Sequence, residues 1–146
     1  MPIDIKKVGT LGVSFSRGLD QTWFNLILKD DGYCAEFYQN VEDEDSDEDD
    51  ELFDEKTMIS FARGEEVLRG VFETAGLENW KTQYSGGDEG PATDLNWTID
   101  VDDPADADLL MVSGNGKLPP EERMEAVIAA IRTAEDRFAR CFREFR

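Results

Sequence analysis

The chain has 146 residues, of which 40% are hydrophobic, and this is enough for one domain with a sizeable core. Its 34 acidic and 15 basic residues give a net charge of −19 at pH 7, a field that argues against direct binding to nucleic acid or to anionic membranes. Histidine is absent, which removes the side chain that most often serves as a general base or metal ligand.

The first forty residues have the pattern of β-strands. VGTLGVSFS (8–16) is β-rich, and TWFNLILK (22–29) places either Trp23 or Phe24 on one face of a strand with Leu26 and Leu28. Asp-Asp-Gly at 30–32 predicts a tight hairpin turn, and YCAEFYQ (33–39) is the expected return strand.

An unusually acidic segment follows. From Glu42 to Glu55 it carries eleven carboxylates in fourteen residues and no basic side chain. The sequence predicts a single domain over 1–146, with residues 41–55 as a mobile acidic insertion. Alternating Asp residues from Asp43 match the first ligands of a calcium loop, but Glu48 replaces the required Gly and Asp54 the required Glu. The segment therefore predicts weak cation attraction and no shaped metal site.

The rest of the chain predicts two helices among further strands. KTMISFA (56–62) is an expected strand, RGEEVLRGVFETAG (63–76) a helix ended by Gly76, and 77–92 a loop. TDLNWTIDVDD (93–103) and ADLLMVSG (107–114) predict paired strands, and the apolar stripe of 120–144 predicts one long helix. SGNGK (113–117) lacks the spacing of a phosphate loop and is predicted to be a turn. The expected fold is α+β, an antiparallel sheet of about five to six strands with two helices packed on it.

The two cysteines, Cys34 and Cys141, lie far apart in the sequence and form no CxxC motif. Neither a signal peptide nor an apolar run of transmembrane length is recognisable, so we expect a cytoplasmic protein with reduced thiols. A disulfide between Cys34 and Cys141 is the alternative that the sequence leaves open.

The order of landmarks from residue 60 to 140 resembles a group of small bacterial α+β proteins. The landmarks are AGLENW (75–80), Tyr84, DLNWTIDV (94–101), SGNG (113–116), a proline pair and a final helix. In that group a Trp–Tyr loop precedes a strand of the form DG..W, whereas this chain has Asp94-Leu95-Asn96-Trp97. The resemblance implies an antiparallel sheet with helices packed on it, and it implies no activity, because the group has none assigned.

No motif in the sequence points to catalysis or to a cofactor, so we expect a non-enzymatic protein that acts by protein–protein contact. The expected partner is a basic protein surface, as on a nucleic-acid-processing protein whose phosphate sites the carboxylates would mimic. Inhibitors of CRISPR or restriction systems and toxin-neutralising immunity proteins illustrate this class. The predicted partner-binding residues are Glu42, Asp43, Glu44, Asp45, Asp47, Glu48, Asp49, Asp50, Glu51 and Phe53.

Two alternatives remain from the sequence. Trp80 and Tyr84 lie four residues apart and form a candidate pocket, which together with the acidic segment would suit a small-molecule or divalent-cation binding module. The other role for these aromatic residues is to close the end of the sheet. A carboxylate-based enzyme is the remaining alternative, and it requires two carboxylates in different environments.

Overall fold

Seven strands form one sheet in the computed structural model, which describes residues 5–17, 20–41, 51–77, 80, 83–85, 92–105, 108–117 and 121–145. The strands are β1 (Thr10–Arg17), β2 (Asp20–Lys29), β3 (Gly32–Val41), β4 (Glu51–Ile59), β5 (Gln83–Ser85), β6 (Ala92–Asp102) and β7 (Asp108–Lys117). Their order across the sheet is β4-β3-β2-β1-β6-β7-β5. All neighbours are antiparallel except the short β5, which runs parallel to β7. The predicted α+β class is confirmed.

The β2–β3 hairpin forms where the sequence predicts it. Lys29 pairs with Gly32, so Asp30 and Asp31 make a two-residue turn between strands of ten residues each. Short polar residues followed by glycine are the usual occupants of such turns. This hairpin fixes the register of β2 against β3, and through it the identity of the residues that share each face of the sheet.

Helices follow β4 and β7. Helix α1 (Phe61–Arg69) is capped by the preceding Ser60, whose hydroxyl accepts a hydrogen bond of 3.1 Å from the backbone N–H of Arg63. It continues into a π-helical turn (Gly70–Thr74), and Gly76 follows with a φ of 64°, as expected for a glycine at a helix end. Helices α2 (Glu121–Ala134) and α3 (Asp136–Phe145) follow β7.

The core lies between the helices and one face of the sheet, here called the covered face. Alternate strand residues point into it because successive side chains of a strand lie on opposite faces. The ring of Phe138 in α3 is stacked on Phe37 of β3 with centroids 4.7 Å apart. Phe142, also in α3, meets Phe15 of β1 edge-on at 4.8 Å. The buried strand residues on this face include Leu11, Val13, Phe15, Thr22, Phe24, Leu26, Tyr33, Ala35, Phe37, Ile59, Trp97, Ile99, Val101 and Val112.

Three details differ from the sequence-based expectations. The strand expected at 56–62 is β4, which begins at Glu51 within the acidic segment and ends before α1. The segment 113–117 extends β7 instead of forming a turn, and part of the expected loop 77–92 forms β5. The formation of β4 in an acidic region is explained by its nine-residue register with β3, because cross-strand pairing overrides local composition.

The predicted single C-terminal helix is interrupted at Glu135. The N–H of Glu135 still donates to the carbonyl of Ile131 at 3.0 Å, but the N–H of Phe138 donates to the carbonyl of Glu135 at 3.2 Å. That second bond spans three residues instead of four and tightens the chain locally. Neither Gly nor Pro stands at the break, so the usual sequence signals of a kink were missing.

The arginines near the α2–α3 junction are paired with carboxylates. Asp136 contacts Arg132 at 3.1 Å and Arg140 at 3.3 Å, and Arg137 binds both Glu135 and Glu55 of β4. The hydrogen bonds that Arg137 donates to Glu55 and to Glu135 raise the pKa of Arg137. These ion pairs are exposed to solvent, so they add little to stability.

Within the part of the chain that the structure describes, no helix is both long and apolar enough to cross a membrane. Cys34 is a buried free thiol. The described thiol of Cys34 therefore forms no disulfide, and the side chain of Cys141 lies outside the described residues.

Candidate interaction face

The second face of the sheet, here called the open face, presents large apolar side chains to solvent. Trp23 on β2 is 46% exposed, Met58 on β4 50% and Met111 on β7 55%. Each alternates with a residue of the covered face, as Trp23 does with the fully buried Phe24. The open face is defined by Trp23, Asn25, Glu36, Tyr38, Lys56, Met58, Asp100, Leu109 and Met111.

An aromatic pair lies at the β2–β3 side of the open face. Trp23 pairs in register with Tyr38, and their ring centroids are 5.3 Å apart with the planes inclined by 54°. Beside them lies a shallow cavity of about 240 Å³, which extends to the β4 side of the sheet. Its lining consists of Trp23, Asn25, Glu36, Phe37, Tyr38 and Lys56.

One ion pair borders this cavity. Nζ of Lys56 lies 3.5 Å from Oε1 of Glu36, on the neighbouring strand and in register with it. The Lys56 side chain is 66% exposed and that of Glu36 28% exposed. A pair at that distance and exposure is weak, since water competes for both charges. Glu36 therefore remains accessible to another cation.

A polar row crosses the open face from β2 to β6. Gly12 on β1 lies between Asn25 and Asp100. A methyl group at Gly12 would collide with Oδ1 of Asp100 and lie 3.1 Å from Oδ1 of Asn25. The glycine thus leaves room for a carboxylate and an amide to lie over the centre of the sheet. The face as a whole combines apolar, aromatic and acidic groups.

The acidic segment falls largely outside the described residues. Of the predicted partner-binding positions, Glu42 to Asp50 lie outside them. Glu51 and Phe53 belong to β4, where they pair in register with Val41 and Gln39 of β3. Their side chains are not among those described, so the predicted contact through these residues stays a prediction.

Trp80 is part of the core. It is 5% exposed, its ring meets Trp97 edge-on at 6.1 Å, and its indole N–H donates to the carbonyl of Ala75 at 2.6 Å. That bond satisfies a carbonyl at the end of the π-helical turn. Tyr84 lies in β5, and its side chain is outside the described residues. The candidate pocket at Trp80 and Tyr84 stays a prediction.

Replacing Trp80 with Phe is expected to lower the free energy of unfolding by about 2 kcal/mol, because the buried carbonyl of Ala75 loses its donor. Urea denaturation followed by far-UV circular dichroism measures the change. The matched control is Trp23→Phe, where the ring is half exposed and we expect a change within about 0.5 kcal/mol. Equal losses in the two variants would contradict a structural role for the Trp80 bond.

Sequence reasoning missed the open face as a site. It placed Trp23 or Phe24 on the same face as Leu26, and the structure assigns that position to Phe24, which leaves Trp23 opposite. The sequence did contain one signal, because Trp23 does not share the alternating positions of the buried residues Phe24 and Leu26 in β2. Glu36 and Lys56 are twenty positions apart, and only the register of β3 and β4 brings them together.

The described residues contain no group of three or more Cys, Asp and Glu side chains placed to hold a metal ion. Comparison of the chain with protein-family models, with curated proteins and with solved structures gives no match, so the resemblance of residues 60–140 to a bacterial group stays a prediction.

Proposed function

We propose that this protein acts without catalysis by binding a basic surface of another protein, and that the open face forms the contact. The observation that carries the proposal is the exposure of Trp23, Met58 and Met111 on one side of the sheet while the other side is buried. Aromatic residues and Met are enriched in protein–protein interfaces. A sheet face with several of them at about half exposure supports use as a contact surface.

Charge supports a basic partner. The chain carries a net charge of −19, and Glu36 and Asp100 lie among the apolar side chains of the open face. Complementary potential speeds association and disfavours acidic partners. The class of partner that we propose is a protein with a nucleic-acid-binding surface in the cytoplasm, since such surfaces present Lys and Arg to phosphates.

The position of the acidic segment in the fold supports the same partner. β3 ends at Val41 and β4 begins at Glu51, so the intervening residues join the two strands that carry Tyr38 and Met58. The carboxylates of this segment add to the negative charge of the chain, which attracts a basic partner.

Affinity capture with matched variants tests the proposal. The bait is the tagged protein in lysate from cells of the source organism, and captured proteins are quantified by mass spectrometry. In the double variant Trp23→Ser/Met58→Ser we expect capture of a basic protein to fall by about tenfold or more, because central aromatic anchors dominate interface energies. Phe61→Ser on α1 removes a similarly exposed aromatic residue, 45% exposed, away from the open face. It should capture as well as the wild type.

The nature of the partner is tested in the same experiment. Added double-stranded DNA or RNA should release the captured protein, because polymer and bait would compete for one basic surface. Equal capture by the wild type and the double variant would contradict the role of the open face. Captured proteins that are not basic, or that nucleic acid does not release, would contradict the proposed partner class.

A further inference from the structure

We infer that the cavity beside Trp23 and Tyr38 is a subsite for one arginine side chain of the partner protein. The inference rests on the proposed function and deepens it, because it names the group that the open face recognises. It is carried by an aromatic pair, a carboxylate and an amide that line a single cavity.

The dimensions suit a single side chain. The cavity has a volume of about 240 Å³, whereas pockets for drug-sized ligands measure roughly 300–1,000 Å³. It opens on the surface of the sheet between side chains of β2, β3 and β4. A long side chain from a docked partner enters such a depression from above, while its backbone stays outside.

The lining matches the chemistry of a guanidinium group. Trp23 offers an indole ring that is about half exposed, and indole is the aromatic group that attracts cations most strongly. Glu36 supplies a carboxylate that is able to accept two parallel N–H bonds from arginine. Asn25 adds a polar amide to the lining on the same side of the sheet. The planar guanidinium can stack on the indole and bind the carboxylate at once, which an ammonium group does not do.

Lys56 forms a weak ion pair with the carboxylate of Glu36 in the protein alone. Its ammonium lies 3.5 Å from Glu36 on a side chain that is 66% exposed. An incoming guanidinium makes a shorter and bidentate contact, so it displaces the ammonium into water at little cost. Lys56 is therefore an internal competitor for the site, and its removal should strengthen binding of arginine. A generic acidic surface would not distinguish this lysine from any other.

Charge favours arginine over a neutral ring such as a sugar. A sugar also stacks on an exposed indole, but it gains nothing from the net charge of −19. A cation gains from that field and from Glu36 together. The test must therefore be able to detect binding of a neutral ring instead of arginine.

Titration of the protein with small probes tests the subsite directly. The probes are N-acetyl-arginine amide and its uncharged counterpart of the same shape, N-acetyl-citrulline amide, with N-acetyl-lysine amide and methyl glucoside as further probes. The signal is the indole N–H resonance of Trp23 in nitrogen-15-labelled protein. The buried indoles of Trp80 and Trp97 serve as internal references. We expect a saturable shift at Trp23 with arginine amide, and binding weaker by about fivefold or more with the other probes.

Three variants give the result its specificity. Glu36→Gln should weaken the binding of arginine amide by about fivefold, since the substitution keeps the shape of the side chain and removes its charge. Lys56→Met should strengthen the binding of arginine amide by about twofold to threefold. Glu66→Gln makes the same change of charge at an exposed position on α1 and should leave the titration unchanged.

Several outcomes would overturn the inference. Equal binding of arginine and citrulline amides, or an equal shift with methyl glucoside, would identify a site for neutral groups. An equal loss of affinity for arginine amide in Glu36→Gln and Glu66→Gln would show that only the net charge of the protein matters. Weaker binding of arginine amide in Lys56→Met would contradict the role of Lys56 as a competitor. The titration uses the protein alone, so its failure beside successful partner capture would reject this subsite and leave the proposed function standing.

Discussion

Replacing Phe138 with Ala is expected to lower the free energy of unfolding by about 3–5 kcal/mol. Phe138 is fully buried in α3, stacked on Phe37 with ring planes 7° apart, and it also contacts Phe24 at a centroid distance of 6.1 Å. Truncation removes the buried ring and leaves a cavity that the paired strands β2 and β3 are unable to close.

Urea denaturation of the wild type and the variant measures this change, provided that the slope of the transition stays constant. The companion variant Phe138→Leu refills part of the space and should lose less than half as much. A loss below about 1 kcal/mol for the alanine variant would be inconsistent with burial of Phe138 between the helix and the sheet.

Replacing Gly64 with Ala is expected to destabilise the protein by about 2–3 kcal/mol, although alanine favours an isolated helix over glycine by about 1 kcal/mol. Gly64 lies inside α1 against the ring of Tyr33. A methyl group there would lie 2.6 Å from Cγ and 2.7 Å from Cε2 of that ring. Cγ is held close to the backbone of β3, so the ring cannot swing away without moving the strand.

A double-mutant cycle separates the collision from helix propensity. In a Tyr33→Ala background the ring is absent, and Gly64→Ala should then be neutral or stabilising. The tyrosine titration gives a second measurement, because burial, and then the charge of Glu65, raise the pKa of Tyr33. Displacement of the ring toward water should let Tyr33 ionise at lower pH. Increased stability of Gly64→Ala in the wild-type background would contradict the close packing of α1 on β3.

Most elements of the fold could be predicted from the sequence because its local signals agree with one another. Alternation in 8–16 and 22–29, the Asp-Asp-Gly turn and the apolar stripe of the last helix each specify one element. The break at Glu135 was not predictable, since neither Gly nor Pro marks it in the sequence. The start of β4 at Glu51 was also not predictable, because a run of consecutive acidic residues is typical of a solvated loop.

The candidate site was less predictable than the fold. Trp23 and Phe24 are adjacent aromatic residues, and the sequence does not decide which of them is buried. The register of β2 against β3 decides it, because this register pairs Phe24 with Phe37 on the covered face and Trp23 with Tyr38 on the open face. Lys56 and Glu36 likewise meet only through the pairing of β3 with β4. No sequence pattern indicated the hydrogen bond that the indole N–H of Trp80 donates to the carbonyl of Ala75.

The most direct test of the account is hydroxyl-radical footprinting of the protein alone and in complex with the captured basic partner. Methionine and aromatic side chains are oxidised readily when they are exposed, and the open face presents Trp23, Met58 and Met111 at about half exposure. The account predicts that the partner protects these three residues and leaves Phe61 on α1 as reactive as in the free protein. Protection of Phe61 with unchanged oxidation of Trp23 and Met58 would contradict it.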